Sequence, residues 1–346
     1  MKAIVMNGFG SSDVFNLEDV ALPVPQDRQV RIRIKAAGFN PVDWKIREGW
    51  YKNYGSSERQ ILGCDCSGII DAVGPNVKEF AVGDEVYAMS FFRSSNGSYA
   101  EYTSAPVELV CKKPSNLTFE EAAAVPLAAM TAYRATLAGI PFKKEDAVFV
   151  AGIGGGVGPF AYEFIRSAGV KNIITVAKDE KSAALLVKNL GISRNSIILY
   201  KDVPFEKLKE QILALNHGRF FNSTIDLVGK DMKKLCLELT GYSGHFSTAL
   251  PEHDFTYPIW NENAVPRMRN VSILQVMVGA ELASPDHADW GIYPCHLKEI
   301  TRMFEHKTLH PPHVQVIGSL SVETVRTAHA LLEDRSVKGK LVMRVH

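Results

Sequence analysis

The sequence predicts an α/β protein: a doubly wound parallel sheet of six strands, set into a rolled and mostly antiparallel sheet. Three observations carry this. The apolar run Ala147-Val148-Phe149-Val150-Ala151 leads directly into Gly152-Ile153-Gly154-Gly155-Gly156-Val157-Gly158 and then into an amphipathic helix over about 159–168. From residue 146 to about 279, strand candidates alternate with helices. Between residues 2 and 112 the strand candidates are instead short, closely spaced and punctuated by Gly and Pro.

In chain order, residues 2–6 and 29–35 are the first strands. The second alternates, with Val30, Ile32 and Ile34 on one face and Arg31, Arg33 and Lys35 on the other, as a half-buried antiparallel strand does. Pro41 stiffens a turn in Asn40-Pro41-Val42-Asp43 just after that strand, a common place for site residues. Strands at 69–73, 85–89, 97–103 and 109–112 complete the rolled sheet. Thr118 with Glu121 three residues later is a capping box, and the Ala-rich helix it opens runs to about residue 138. The alternating region offers strands at 147–151, 172–177, 196–200, 223–228, 244–249 and 271–278, and right-handed crossovers between them make one parallel sheet. Helices near 297–307 and 322–333, with strands near 314–317 and 340–345, close the chain.

At 346 residues the chain suits about two domains. With 46% hydrophobic and 22% charged residues it has the composition of a soluble globular protein. Its 39 basic and 38 acidic residues form no block of like charge, which disfavours nucleic acid and anionic membrane as partners and leaves a small molecule. The five cysteines, Cys64, Cys66, Cys111, Cys236 and Cys295, are odd in number and scattered, as reduced thiols of a cytoplasmic protein are. Cys64-Asp65-Cys66 lacks the spacing of a metal clip. The first residues offer no apolar segment of signal-peptide length, and the longest nearly uncharged helix candidate falls short of the roughly 20 residues of a membrane span.

A strand, a glycine turn and a helix form the unit that binds a nucleotide pyrophosphate, since bare backbone approaches the phosphates and unpaired N–H groups at the helix start meet their charge. The spacing departs from the usual fingerprint: two and then three residues on from Gly152 stand Gly154 and Val157, so the third glycine is missing, and a plain tight turn fits the same residues. The end of the second parallel strand separates the two nicotinamide cofactors. There Ala177 replaces the acid that would bind ribose hydroxyls, and Lys178 and Lys181 follow, which favours a 2′-phosphate and NADPH. Ordinary solvated helix-start lysines read the same way, and Asp179 would restore an acid after a shift of two positions.

Several segments together resemble one family. Asn40-Pro41-Val42-Asp43, Leu62-Gly63-x-Asp65-x-x-Gly68, Val82-Gly83-Asp84-x-Val86, Gly97-Ser98-Tyr99-Ala100-Glu101-Tyr102, Pro126 with Thr131-Ala132-Tyr133, Gly155-Gly156-Val157-Gly158 and Gly339-Lys340-Leu341-Val342 occur in the order and spacing of zinc-free medium-chain dehydrogenases/reductases. The chain is similar to the quinone oxidoreductases (zeta-crystallin-like) and enone reductases of that superfamily. The resemblance implies a GroES-like catalytic domain over 1–123 and 283–346, with an NADP-binding Rossmann domain over 124–282 inserted and a cleft between the two. It also implies a homodimer joined along the sixth strand. Cofactor contacts are implied at Thr131, Gly152, Gly155, Gly156, Val157, Gly158, Lys178, Lys181, Tyr200, Val278 and Lys340. Tyr200 is equally readable as a sheet-edge aromatic.

Zinc-using relatives bind the catalytic metal through Cys, His and Cys, and these positions are Asn40, Cys64 and Leu127 here. The second zinc site of those relatives needs four cysteines between residues 91 and 110, where there are none. The relay hydroxyl falls at Val42. No metal is therefore expected, and the chemistry that remains is hydride delivery from NADPH to a quinone or an α,β-unsaturated carbonyl. Asn40 is the candidate for orienting the acceptor oxygen or the nicotinamide, against an Asx turn capping the following loop. Tyr51 is the candidate proton donor, against a hydrophobic wall made with Trp50 and Tyr54. Asp43 and Lys45 read as an exposed pair without a chemical role, and Cys64 as a small buried filler. His245, His253 and Tyr257 stand where cofactor-cleft residues would set substrate choice. A catalytically silent NADPH-binding protein and a zinc-type alcohol dehydrogenase are the competing readings.

Overall fold

The computed structural model describes residues 1–52, 57–90, 97–250, 264–335 and 337–345. In chain order its elements are β1 (Lys2–Asn7), β2 (Phe15–Asp19), β3 (Gln29–Gly38), α1 (Pro41–Arg47), β4 (Arg59–Ile61), β5 (Asp65–Val73), β6 (Glu85–Met89), β7 (Tyr102–Pro106), β8 (Val110–Lys112), α2 (Phe119–Ala123) and α3 (Pro126–Ala135). Then come β9 (Ala147–Ala151), α4 (Gly158–Ser167), β10 (Asn172–Ala177), α5 (Glu180–Leu190), β11 (Ile197–Leu199), α6 (Phe205–Leu215), β12 (Phe221–Asp226), α7 (Asp231–Leu239), β13 (Thr240–Thr248), α8 (Val265–Met268) and β14 (Ser272–Gln275). The chain closes with α9 (Ile292–Glu305), β15 (Val314–Ser319), α10 (Val322–Glu333) and β16 (Lys340–Arg344). These elements form two compact units, Met1–Met130 with Glu281–His346, and Thr131–Ala280. No helix among the described residues is long and apolar enough to cross a membrane.

The first unit holds a three-stranded antiparallel sheet, β2-β1-β4, and a seven-stranded sheet in the order β15-β16-β3-β5-β6-β8, with β7 also on β3. Val30, Ile32 and Ile34 are fully buried from β3, as the alternation predicts, while Arg31 pairs with Asp71 of the neighbouring strand at 2.9 Å. The strand expected over 97–103 lies later, at Tyr102–Pro106. Gly97 instead crosses the Ile61 and Leu62 carbonyls so closely that a Cβ would sit 2.2 and 2.3 Å from their oxygens, and before Tyr102 the chain is tied to β1 by an isolated bridge, Ala3 with Ala100. The long helix expected over 118–138 is two helices. Its capping box forms, Glu121 N–H to Thr118 Oγ1 at 3.2 Å and Thr118 N–H to Glu121 Oε2 at 2.8 Å, but Pro126 lacks an N–H and restarts the helix after Ala123.

The second unit is one parallel sheet in the order β11-β10-β9-β12-β13-β14. Its central strand, β9, is buried over its whole length, which explains why it reads as a continuous apolar run and not as an alternation. The outer strands are shorter than their apolar runs: 197–199 and 272–275, against 196–200 and 271–278 from sequence.

Candidate active site

Two places concentrate chemistry, one in each unit. In the parallel-sheet unit, the turn after β9 reverses with Gly152 at φ +96°, a left-handed conformation that favours glycine. The glycine missing from the expected spacing is supplied by Gly158. A Cβ there would lie 2.3 Å from the Gly152 oxygen and 2.4 Å from Ile153 Cα, so the first residue of α4 must be bare for the helix to pack on the strand. Pro159, without an N–H, stands in the first turn of α4, where that group would have no internal partner. Gly155 is exposed, and the amides of Gly156 and Val157 donate to no backbone group among the described residues. Lys178, just past β10, and Lys181, in the first turn of α5, are both exposed. Asp179, the acid that confused the cofactor reading, caps α5 by accepting from Ser182 N–H at 2.8 Å. Tyr200 extends the ladder beyond β11 through its N–H to the Ala177 carbonyl, 3.0 Å, and its ring packs on the core beneath the sheet. Thr131 is half-buried in α3, and Val278 lies beyond β14 against the core of the sheet. His245 is half-buried on β13; His253 and Tyr257, like Tyr54, lie outside the described residues.

In the other unit a polar cluster is enclosed by the apolar core. Asn40, at the start of α1, sends its amide away from the helix. Its Nδ2 donates to Asp65 Oδ2 at 2.8 Å, and its Oδ1 accepts from Lys340 Nζ at 2.5 Å. A carboxylate only accepts and an ammonium only donates, so the two neighbours fix which end of the amide is which. Asn40 also stands at the N-cap of α1, where the Asp43 carboxylate accepts its backbone N–H at 2.8 Å as part of a capping box. Lys340, placed among the cofactor contacts by resemblance, is buried, with further contacts to the Phe39 carbonyl at 3.1 Å and Asp65 Oδ2 at 3.6 Å. Asp65 Oδ1 accepts the backbone N–H of Leu127 at 2.8 Å. Burial pushes the Asp65 carboxyl up and the Lys340 ammonium down, each against the pull of the other's charge.

Asp43 is fully buried and makes no pair with Lys45, contrary to the sequence reading. Besides Asn40 it accepts from Tyr99 Oη–H at 2.9 Å and from the Cys64 thiol at 3.2 Å. Burial raises its carboxyl to about 6 in spite of these three donors. Tyr99 Oη lies 3.4 Å from His329 Nε2, and burial with the Arg47 charge depresses that imidazole to about 3. His329 is therefore neutral near pH 7, and its Nδ1 is buried without a partner among the described residues. Burial and the neighbouring carboxylates hold the Cys64 thiol well above its ordinary range. Tyr51, beyond the end of α1, packs on the same core, and burial followed by the Cys64 charge raises its hydroxyl. Tyr99 and His329 escaped the sequence reading as site residues. The visible sign of His329 is an imidazole on the buried face of α10, with Val325 and Ala328.

Comparison with known proteins agrees with this architecture. Residues 26–115 match the alcohol dehydrogenase GroES-like domain. The chain is 34% identical to a human quinone oxidoreductase over 218 residues, 61% of this chain and 63% of that protein. It is 36% identical over 240 residues to a 2-methylene-furan-3-one reductase of Solanum lycopersicum, 67% of this chain and 58% of that one. The matched stretches thus span about three fifths of each relative's length. A solved structure of an NAD-dependent alcohol dehydrogenase superposes over 100% of both chains with a TM-score of 0.84 at 28% identity. With a GroES-like domain in its first third and the same α/β fold along its whole length, the chain belongs to the medium-chain dehydrogenase/reductase superfamily.

Proposed function

We propose that the protein is an NADPH-dependent, zinc-independent reductase of quinones or α,β-unsaturated carbonyls. The observation that carries the reading is the glycine turn: unpaired amides at the start of α4, a bare Gly155 beside them, and two exposed lysines after the second parallel strand. The amides of Gly156 and Val157 meet the pyrophosphate, Gly155, whose own N–H donates to the Gly152 carbonyl, leaves room beside them, and Gly152 and Gly158 keep the backbone in place. Lys178 and Lys181 take the 2′-phosphate. Tyr200, Thr131 and Val278 complete the dinucleotide contacts. Bound there, reduced nicotinamide supplies the hydride.

The enclosed cluster supports a reaction without a metal. Of the three positions that bind zinc in metal-using relatives, Leu127 offers only a backbone N–H that Asp65 already holds. Asn40 presents its oxygen to an ammonium, and Cys64 keeps its proton on sulfur. A zinc ion beside Lys340 would meet a positive charge and no thiolate, so these residues do not fit it. Asn40 retains one amide N–H beyond its bond to Asp65, with its orientation set by Lys340, and this N–H is the donor for the acceptor oxygen or the nicotinamide amide. Lys340 acts by fixing Asn40. Tyr51, held protonated by burial, donates the proton to the oxygen on which charge develops.

In the same reading the protein is a cytoplasmic homodimer joined along β14. Ile273 and Met277 are 39% and 54% exposed on and beyond that strand, and light scattering would report the mass. The deciding experiment is NADPH oxidation by purified protein with benzoquinone and with methyl vinyl ketone. Turnover of either acceptor without added zinc supports the proposal, and cofactor binding with no turnover of any electrophile overturns it in favour of a silent binding protein.

A further inference from the structure

Helix α1 carries an arrangement that neither the fold nor the hydride chemistry uses. Asp43, Ile46 and Arg47 form its buried face. Lys45 is only half-buried, and its ammonium lies 5.2 Å from the centre of the Trp50 ring and 5.8 Å from that of Trp44. The two indoles meet edge to face, 5.5 Å apart at 76°, and Trp50 is 48% exposed. The charged group acting on Lys45 is another cation, Arg335, just beyond α10.

The nearby acids are engaged elsewhere. Glu333 and Glu48 both pair with the buried Arg47, at 2.7 and 3.2 Å, and Asp43 is turned into the enclosed cluster. Asp334, exposed at the end of α10, is not among the groups acting on Lys45. Lys45 therefore has no carboxylate partner among the described residues. Burial and the Arg335 charge depress its ammonium, which is the state of a cation short of counter-charge. The Trp44 indole N–H is likewise buried with no acceptor among the described residues.

We propose that Lys45, Arg335, Trp44 and Trp50 form a subsite for a planar, conjugated molecule bearing an anionic group. The anion meets the two cations, and the ring lies against the open side of Trp50. Asn40 and Tyr51, the residues put forward for the chemistry, bracket the same short helix, so the subsite selects acceptors carrying a carboxylate or sulfonate. That last step rests on the reductase reading; the subsite itself does not.

Titration calorimetry on the full chain tests it with two unreactive probes, naphthalenesulfonate and the neutral naphthalenemethanol. The sulfonate is expected to bind about tenfold more tightly than the alcohol, with the preference shrinking as salt is raised. Lys45→Met keeps the apolar stem over the indoles and should abolish the preference, while Lys45→Arg should keep it. If Lys45→Met fails to fold, Arg335→Met carries the same comparison. Equal binding of the two probes, binding of neither, or a preference that survives loss of the cation overturns the proposal. The readout needs no turnover: a protein that prefers the sulfonate through Lys45 but reduces no acceptor breaks the reductase reading alone, and turnover without charge preference breaks the subsite alone.

Discussion

The two units present their chemistry in different ways. In the parallel-sheet unit the candidate site is made of backbone, seven consecutive residues after one buried strand, and side chains matter there by being absent. In the other unit it is made of side chains from residues 40, 43, 64, 65, 99, 329 and 340, brought together from five separate stretches of chain. A backbone site tolerates a ligand's charge because its donors are preorganised and open. A side-chain cluster closed inside an apolar core must satisfy its own charges first, so each member is held by the others. The first kind of site fails by steric intrusion and the second by loss of a partner.

The largest effect is expected where a partner is lost. Lys340→Met leaves the Asp65 carboxylate and the Asn40 oxygen buried without the ammonium, and breaking such a pair costs about 3–5 kcal/mol. In Lys340→Met with Asp65→Asn neither charge of that pair remains, and the Asn40 amide can flip to accept from the new amide, so at least half of the loss should return. Urea unfolding of the single and double variants measures both. A loss below about 1 kcal/mol in the single variant would mean that the cluster is not the closed unit described.

The next effect is in the pH profile. Asp43 is raised to about 6 in the folded chain, so the folded state holds its proton more tightly than the unfolded one, and stability falls as pH rises from about 4 to 6. His329 is depressed to about 3, so the unfolded state binds more protons, and stability falls as pH drops below the ordinary histidine range. In the window between pH 4 and 6 the two trends oppose each other. His329→Gln removes one of them, and the difference in unfolding free energy between wild type and variant should change by about 1.4 kcal/mol per pH unit, roughly 2–3 kcal/mol across the window, with wild type losing ground on acidification. A difference independent of pH would show that the imidazole is not held neutral.

The same contrast decides what the sequence reveals. The alternation of strands and helices in the second unit, the capping box at Thr118 and the alternation of β3 rest on periods of a few residues and are legible. The glycine turn is nearly so, and only the count to Gly158 needs the structure, because the turn is one residue longer than the usual spacing. Asp43 is not legible. In a string of letters it stands two positions from Lys45 and looks like a surface pair, and only the folding that brings Cys64 and Tyr99 to the start of α1 makes it, with the Asn40 N–H, the acceptor of three donors. Pro126, by contrast, carried its own warning in its missing N–H, and the long helix expected across it disregarded that local rule.

The backbone site predicts a separation that the closed cluster does not allow. Gly158→Ala forces a Cβ against backbone at 2.3 Å and should cost about 1–3 kcal/mol together with cofactor binding. In Gly155→Ala the nearest atom is 3.5 Å away, an ordinary contact, so unfolding should shift by less than about 0.5 kcal/mol while the methyl stands where the amides meet phosphate. Thermal melts with and without NADPH distinguish them: both variants lose the stabilisation by NADPH, and only Gly158→Ala loses intrinsic stability.

The smallest effect concerns the lysines, and it tests whether the open site reads charge. Lys178 and Lys181 are exposed and screened, so removing both should weaken NADPH by about tenfold, near 1.4 kcal/mol, with no change in folding stability. NADH lacks the 2′-phosphate, and its affinity should not move. The NADPH affinity of the wild type should fall with rising salt, and that dependence should flatten in the double variant, because two of the charges that salt screens are gone. If NADH and NADPH weaken together, the lysines act on the pyrophosphate that both cofactors share. The choice between the cofactors then belongs to other residues near Ala177, where the strand ends without an acid.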